Sequence, residues 1–169
     1  EEYQLPYPKT LIVRKEMLVD GHLNQELPFD FPVALKPANS VEYLSVQFEG
    51  RKKAFIIDNR EEFDLILGRI YEAGYTSEMI VQDFIPGDDS NMRVLNAYVD
   101  ENHQVRMMCL GHPLLEDPTP ASIGNYVVIM PDYNEKIYQT IKRFLEDISY
   151  TGFANFDMKY DPRDGEYKL

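Results

Sequence analysis

Cysteine is nearly absent from this sequence: Cys109 stands alone. One thiol excludes an internal disulfide framework and any cysteine-rich zinc site. Its apolar setting, VRMMCLG, predicts a buried core thiol. Positive charge is also short, with 17 Lys and Arg against 29 Asp and Glu and a formal charge of −12. A chain that grips nucleic acid gains affinity from many cations, so a nucleic-acid partner is not expected. A small phosphate ligand stays permitted, because a few local cations, backbone N–H groups and metal ions suffice to hold it. No apolar run approaches the roughly 20 residues needed to cross a bilayer, so no membrane span is expected. No basic segment precedes an apolar one as in a secretory signal, which points to the cytoplasm. Repeats and low-complexity tracts are missing as well. No Ser–His or Cys–His pair stands out, and His22, His103 and His112 sit in settings that read as surface loops.

What is present suits one core or two small lobes. TLIV at 10–13 is a β-branched run and predicts a strand. Residues 15–31 read as irregular or a short helix. FPVAL predicts a strand at 32–36 ended by Pro37. Residues 42–57 read as a pair of strands around Gly50. Asp58 or Asn59 can cap a helix over 60–73 whose inner face carries Phe63, Ile66, Leu67, Ile70 and Tyr71, with Gly74 as its stop. MIVQDF (79–84) predicts a buried strand ending at Pro86-Gly87. NMRVLNAYV and QVRMMCLG flank a turn at 100–103, and a Pro-rich loop at 113–120 leads into the strand NYVVIM. A second amphipathic helix over 133–148 turns Ile137, Ile141, Phe144, Leu145 and Ile148 inward. The expected class is α+β, in two lobes of mainly antiparallel sheet with packed helices: residues 1–77 and residues 78–169.

The last stretch, GFANFDMKYDPRDGEYKL, alternates as a strand does, followed by the turn DPRDG. Phe153, Asn155, Asp157 and Lys159 share one face; Ala154, Phe156, Met158 and Tyr160 share the other. The second set packs. The first is either a solvated face with an Asp–Lys pair or a ligand face, since Asp157 cannot be buried without a partner. A strand carboxylate with a second oxygen ligand on the hairpin partner can hold Mg²⁺ against phosphates.

Four stretches in order, PVALKPANS, MIVQDFIPGDD, SIGNYV and GFANFDMKYDPRDGEYKL, make the chain resemble the ATP-grasp superfamily, in its carboxylate–amine ligase branch near the D-aspartate ligases. The resemblance covers essentially the whole sequence. It implies two lobes with a nucleotide cleft between them, the first carrying the phosphate loop and the second the adenine hinge and metal side. It implies ATP and Mg²⁺ as cofactors. Lys36 would contact the phosphates, as would Lys52 or Lys53, between which strand parity does not choose. The segment around Gln82, Asp83, Phe84 and Ile85 would meet adenine, and Asp89, with Asp88 as alternative, the ribose. Asp157 would be the first metal ligand, Asn155 a polar contact in the catalytic site and Asn125 a substrate contact. The family's usual glycine-rich phosphate loop is not matched, since 38–53 holds only Gly50.

The implied reaction joins a small-molecule carboxylate to an amine through an acyl phosphate, with ADP as product. The family pattern also places further metal ligands past Leu169 and a domain before Glu1. On that expectation the chain is a central piece completed by the remaining domains of the same polypeptide, and inactive alone. A non-catalytic nucleotide-binding module, or an ATP-grasp ligase of another substrate class, are the alternatives.

Overall fold

The computed structural model of the chain describes residue 3 and residues 5–117 and 125–169. They form two compact units: Pro8–Phe84, and Ile85–Leu169 with the N-terminal residues up to Tyr7.

In the first unit β1 (Thr10–Val13) precedes a 3-10 turn at Lys15–Met17 and a small ribbon of β2 (Leu18–Val19) and β3 (His22–Leu23). Then come β4 (Val33–Pro37), the one-turn helix α1 (Ser40–Tyr43), β5 (Phe55–Ile57), helix α2 (Arg60–Glu72) and β6 (Met79–Asp83). The strands lie in the order β1-β6-β4-β5, every neighbour antiparallel. Alternation sends Val33, Leu35, Phe55, Ile57, Met79 and Val81 to one face, where they are buried. There α2 covers them with Phe63, Leu67, Ile70 and Tyr71, and Ile66 packs at the margin. Each large side chain buried this way stabilises the unit by about 1.5–3 kcal/mol. The cap of α2 is Asn59, whose side chain accepts from Glu62 N at 2.9 Å, and Glu61 and Glu62 suit the positive end of the helix dipole. Gly74, at φ +97°, supplies the left-handed stop. Asp64 on α2 is buried and accepts from Leu23 N at 3.0 Å and Arg60 Nε at 2.7 Å, tying the ribbon to the helix.

The strand pair expected over 42–57 is corrected. Only β5 forms, and residues 40–43 are α1. Ahead of β5, Tyr43 and Val46 are buried while Val41 and Leu44 are exposed; that is a helical spacing rather than an alternation. Asn39 caps α1 by accepting from Glu42 N at 3.1 Å. The Glu42 carboxylate accepts from Thr76 N at 2.6 Å and Thr76 Oγ1 at 2.8 Å, and from the Ser77 hydroxyl. Those partners lie over thirty residues away in sequence, beyond the reach of local pattern.

In the second unit a 3-10 turn at Asp89–Asn91 leads into β7 (Met92–Val99), β8 (Val105–Glu116), β9 (Tyr126–Asp132), helix α3 (Glu135–Asp147), β10 (Gly152–Asp161) and β11 (Glu166–Lys168). The sheet runs β11-β10-β7-β8-β9, antiparallel throughout. Leu95, Ala97, Val99, Leu110 and Met158 form its inner face against Ile137, Ile141 and Leu145 of α3. Tyr138 pins the contact, its hydroxyl accepting from Leu110 N at 2.9 Å. Asn134 caps α3 by accepting from Ile137 N at 3.1 Å. Ile148, expected inward, follows the helix end and is exposed. The expected loop at 113–120 is strand as far as Glu116, because β8 absorbs Pro113 through register shifts against β9. His22 and His112, expected in loops, lie in β3 and β8.

Candidate functional site

With α3 covering one side of the second unit's sheet, the opposite side of β10 is open. Phe153, Asn155 and Asp157 are exposed there, and Lys159 is half-buried. The register extends this face across three strands. Asn155 lies opposite Asn96 and Asn96 opposite Cys109, while Asp157 lies opposite Val94 and Val94 opposite Gly111. Gly111 leaves room for Ile129 of β9, whose Cγ2 stands 2.3 Å from where a Cβ would be.

One end of the face gathers charge. Asp157 is open to solvent, yet the protein around it raises its carboxyl pKa by desolvation. Lys159 donates to Gly87 O at 2.6 Å. Desolvation lowers the pKa of this ammonium, and the Asp89 and Asp88 carboxylates partly offset that. Asp88 is engaged in capping the turn, accepting from Ser90 N at 3.0 Å and Ser90 Oγ at 2.5 Å; Asp89 next to it is exposed. Tyr126 at the start of β9 has its phenol pushed up to about 12, by burial first and then by Asp89, Asp157 and Glu116. These residues are therefore electrostatic neighbours within one unit.

The sequence reading had Asn155, Asp157 and Asp89 as candidates, and the fold brings them onto or beside this face. Tyr126, Glu116 and Asn96 were not singled out; the only signal for them was strand alternation, which does not say which side stays open. Asn125 is exposed just before β9, its carbonyl accepting from Asp117 N at 2.9 Å. Of the loop SIGNYV, residues 122–124 lie outside the described residues, as do residues 118–120 of the preceding segment. His112 points to the α3 side of the sheet, opposite to Asp157, by its place next to Gly111. Cys109 is a correction: it is exposed, not buried, because its neighbour Leu110 takes the inward position.

The first unit has its own open face, carrying Lys36, Ile56 and Gln82. The Lys36 ammonium reaches solvent, and desolvation lowers its pKa. Gln82 donates to Thr10 Oγ1 at 3.2 Å. Lys52 and Lys53 are exposed in the connection between α1 and β5, where strand parity does not apply. At the end of β6, Asp83 N donates to Lys9 O at 2.9 Å and Phe84 N to Pro32 O at 3.3 Å. Ile85, the next residue, is buried and begins the second unit.

The donor set can be tested against Mg²⁺. Among the described residues no three His, Cys, Asp or Glu side chains cluster as a metal cage. Mg²⁺ is commonly held by one or two carboxylates, with phosphate and water oxygens completing the shell. Asp157, a solvent-facing carboxylate in an open sheet, fits that role.

Two antiparallel sheets, each backed by one helix and each open on its other face, are the two halves of the ATP-grasp fold. Solved structures agree. The L-amino acid ligase from Bacillus licheniformis matches with a TM-score of 0.61 over 99% of this chain and 36% of that one, at 14% identity. The ADP complex of N5-carboxyaminoimidazole ribonucleotide synthetase matches at 0.65, over 99% of this chain and 40% of that one, at 12% identity. At such identities the likeness is one of fold, and the chain has the ATP-grasp fold. In sequence it is 92% identical over all 169 residues to the D-aspartate ligase of Enterococcus faecium, and it spans 40% of that protein's length. No family model matches the chain, and no helix among the described residues is long and apolar enough to cross a membrane.

Proposed function

We propose that this chain is the nucleotide-binding segment of a cytoplasmic, ADP-forming carboxylate–amine ligase acting on D-aspartate. The observation that carries the reading is the 92% identity, unbroken over the chain, to a D-aspartate ligase. The open faces support it, since each presents a group of the right charge: Lys36 in one unit and Asp157 in the other.

In this reading Lys36, with Lys52 or Lys53, meets the ATP phosphates as point cations. Desolvation of Lys36 strengthens its attraction for an anion, because less water screens it. Gln82, Asp83, Phe84 and Ile85 border the adenine. The N–H groups of Asp83 and Phe84 donate to Lys9 O and Pro32 O, so adenine recognition would fall to other groups of this segment, the Ile85 backbone among them. Asp89 takes the ribose hydroxyls, its neighbour Asp88 being occupied by the turn. Asp157 holds Mg²⁺, which when bound neutralises phosphate charge. Asn125 and Asn155 contact the substrate. A substrate carboxylate attacks the γ-phosphorus, ADP leaves, and the amine then displaces phosphate from the acyl phosphate. Such chemistry needs positioning and charge neutralisation rather than a protein nucleophile. Residues 1–77 would serve the phosphates and residues 78–169 the adenine and metal, with the other domains of the polypeptide completing the pocket.

The test is ADP release by the full-length ligase with D-aspartate and a panel of amines. Release that needs both substrates supports the reading. ATP binding without turnover on any carboxylate would favour a non-catalytic nucleotide-binding module. Turnover on other carboxylates but not on D-aspartate would assign a different ATP-grasp ligase.

A further inference from the structure

On the open face of the second unit, one step along β10 from Asp157, Asn155 Nδ2 donates to Asn96 Oδ1 at 3.0 Å. The two residues are register partners on β10 and β7, and both are exposed. Two amides joined by one hydrogen bond have hydrogen-bonding capacity left over. Asn155 keeps its carbonyl oxygen as an acceptor, and Asn96 keeps its NH₂ as a donor. Turning both amides over would move the outward donor to Asn155 and the outward acceptor to Asn96, so the pair offers one of each either way, with Asn96 the donor as oriented here. The pair therefore presents a donor and an acceptor side by side, with no net charge.

The surroundings give this pair a direction. Toward one end of the strand lie Asp157 and Lys159, the charged end of the face. Toward the other, Phe153 and Tyr98 are register partners with ring centroids 5.1 Å apart, and Phe153 is 77% exposed. Residues two apart on one strand face are separated by roughly 6–7 Å. That spacing is short enough for one small molecule to reach from the charged end to the amides.

We propose that the Asn96–Asn155 amide pair is the specificity element of the carboxylate substrate site. It would receive the α-ammonium and α-carboxylate of an amino acid whose other carboxylate lies toward Asp157. The acceptor of the pair suits the ammonium and the donor suits the carboxylate; a purely anionic or purely cationic substrate would leave one member unmatched. Asn96 acts partly through Asn155, holding its amide in plane, and partly by its own NH₂. This inference rests on the ligase reading above.

The experiment compares the full-length ligase with its N96A and N96D variants, measuring ADP release with D-aspartate and with the α-carboxamide analogue of D-aspartate. N96A should raise KM for D-aspartate about tenfold, the loss of one hydrogen bond to a charged group. KM for ATP should stay within about twofold. N96D replaces the donor by a carboxylate, so it should penalise D-aspartate further and shift preference toward the carboxamide, which brings its own donor. A merely structural role would not produce that change of preference. Wild-type turnover with an unaltered D-aspartate KM in both variants overturns the inference and leaves the ligase reading standing. So does a uniform fall on all substrates that tracks a lowered Tm. A wild-type enzyme without ATP-dependent turnover overturns the ligase reading, and this inference with it.

Discussion

The Lys168 ammonium stands 2.5 Å from the Asp161 carboxylate, which has no solvent exposure. Arg163 adds a second cation, its Nη2 at 2.7 Å from the same carboxylate, and its backbone N–H donates to Asp161 Oδ1 at 3.0 Å. This cluster closes the β10–β11 hairpin beside the candidate site. Asp161→Ala leaves the mostly buried Lys168 with Asp164, 2.8 Å away and half-exposed, as its remaining carboxylate, while Arg163 is half-exposed and recovers hydration. The expected loss is about 2–3 kcal/mol, below the full value for a deeply buried pair. Urea unfolding of the two proteins, compared at constant m-value, checks it.

The same carboxylate fixes a pH dependence. The Arg163 hydrogen bond first, and then Lys168, hold the Asp161 pKa well below the usual carboxylate range, against the opposing effect of burial. A depressed folded pKa means the stabilisation is fully present above the unfolded value. It is lost as pH falls through the folded one. The stability difference between wild type and Asp161→Asn should therefore be level near neutrality and shrink only below about pH 4. A difference that changed between pH 6 and 8 would contradict this.

Gly111→Ala places a Cβ 2.3 Å from Ile129 Cγ2. The backbone there needs no left-handed conformation, so the obstacle is space alone. The substitution should destabilise by about 1–3 kcal/mol. Adding Ile129→Ala, which removes the obstructing carbon, should return most of it. A double-mutant cycle reads the coupling, and independent effects would sink the packing argument.

On the proposed ligase reading, Asp157→Asn in the full-length protein should weaken the Mg²⁺ dependence of ADP release. Desolvation raises the Asp157 pKa, so in the wild type metal affinity should fall on acidification at a higher pH than for an ordinary carboxylate. The metal needs the ionised form, so the affinity is present above the folded pKa and lost below it. The variant should show no such limb in its Mg²⁺ titration. Lys36→Ala should lower the ADP-forming rate by roughly 100-fold through lost charge stabilisation.

Cys109 should react with a thiol reagent in the native state, because it is exposed on the open face. Alkylation within about tenfold of the unfolded rate is expected at neutral pH. Strong native-state protection would place the thiol inside the protein after all.

Much of the secondary structure was legible because its causes are local. Asn59 and Gly74 bracket α2 by capping chemistry, and β10 alternates residue by residue as a strand must. The region 40–57 was not legible, because α1 is held by Glu42 reaching Thr76 and Ser77. Asp157 and Lys36 could be singled out only through the family resemblance of PVALKPANS and GFANFDMKY. Tyr126 and Asn96 could not, since each matters only through a neighbouring strand.

The sequence by itself determined where α2, α3 and β10 lie, and that Asn155, Asp157 and Lys159 share a side. Those properties follow from backbone periodicity and capping within a few residues. Only the tertiary structure decided which faces of β7 and β8 line up with the packed side of β10 under α3. That alignment left the Asn96–Asn155 pair facing outward and put Cys109 in solvent. Strand parity assigns residues to two faces but carries no label for the covered one; the label comes from Ile137, Ile141 and Leu145, which bury their apolar surface against Leu95, Leu110 and Met158.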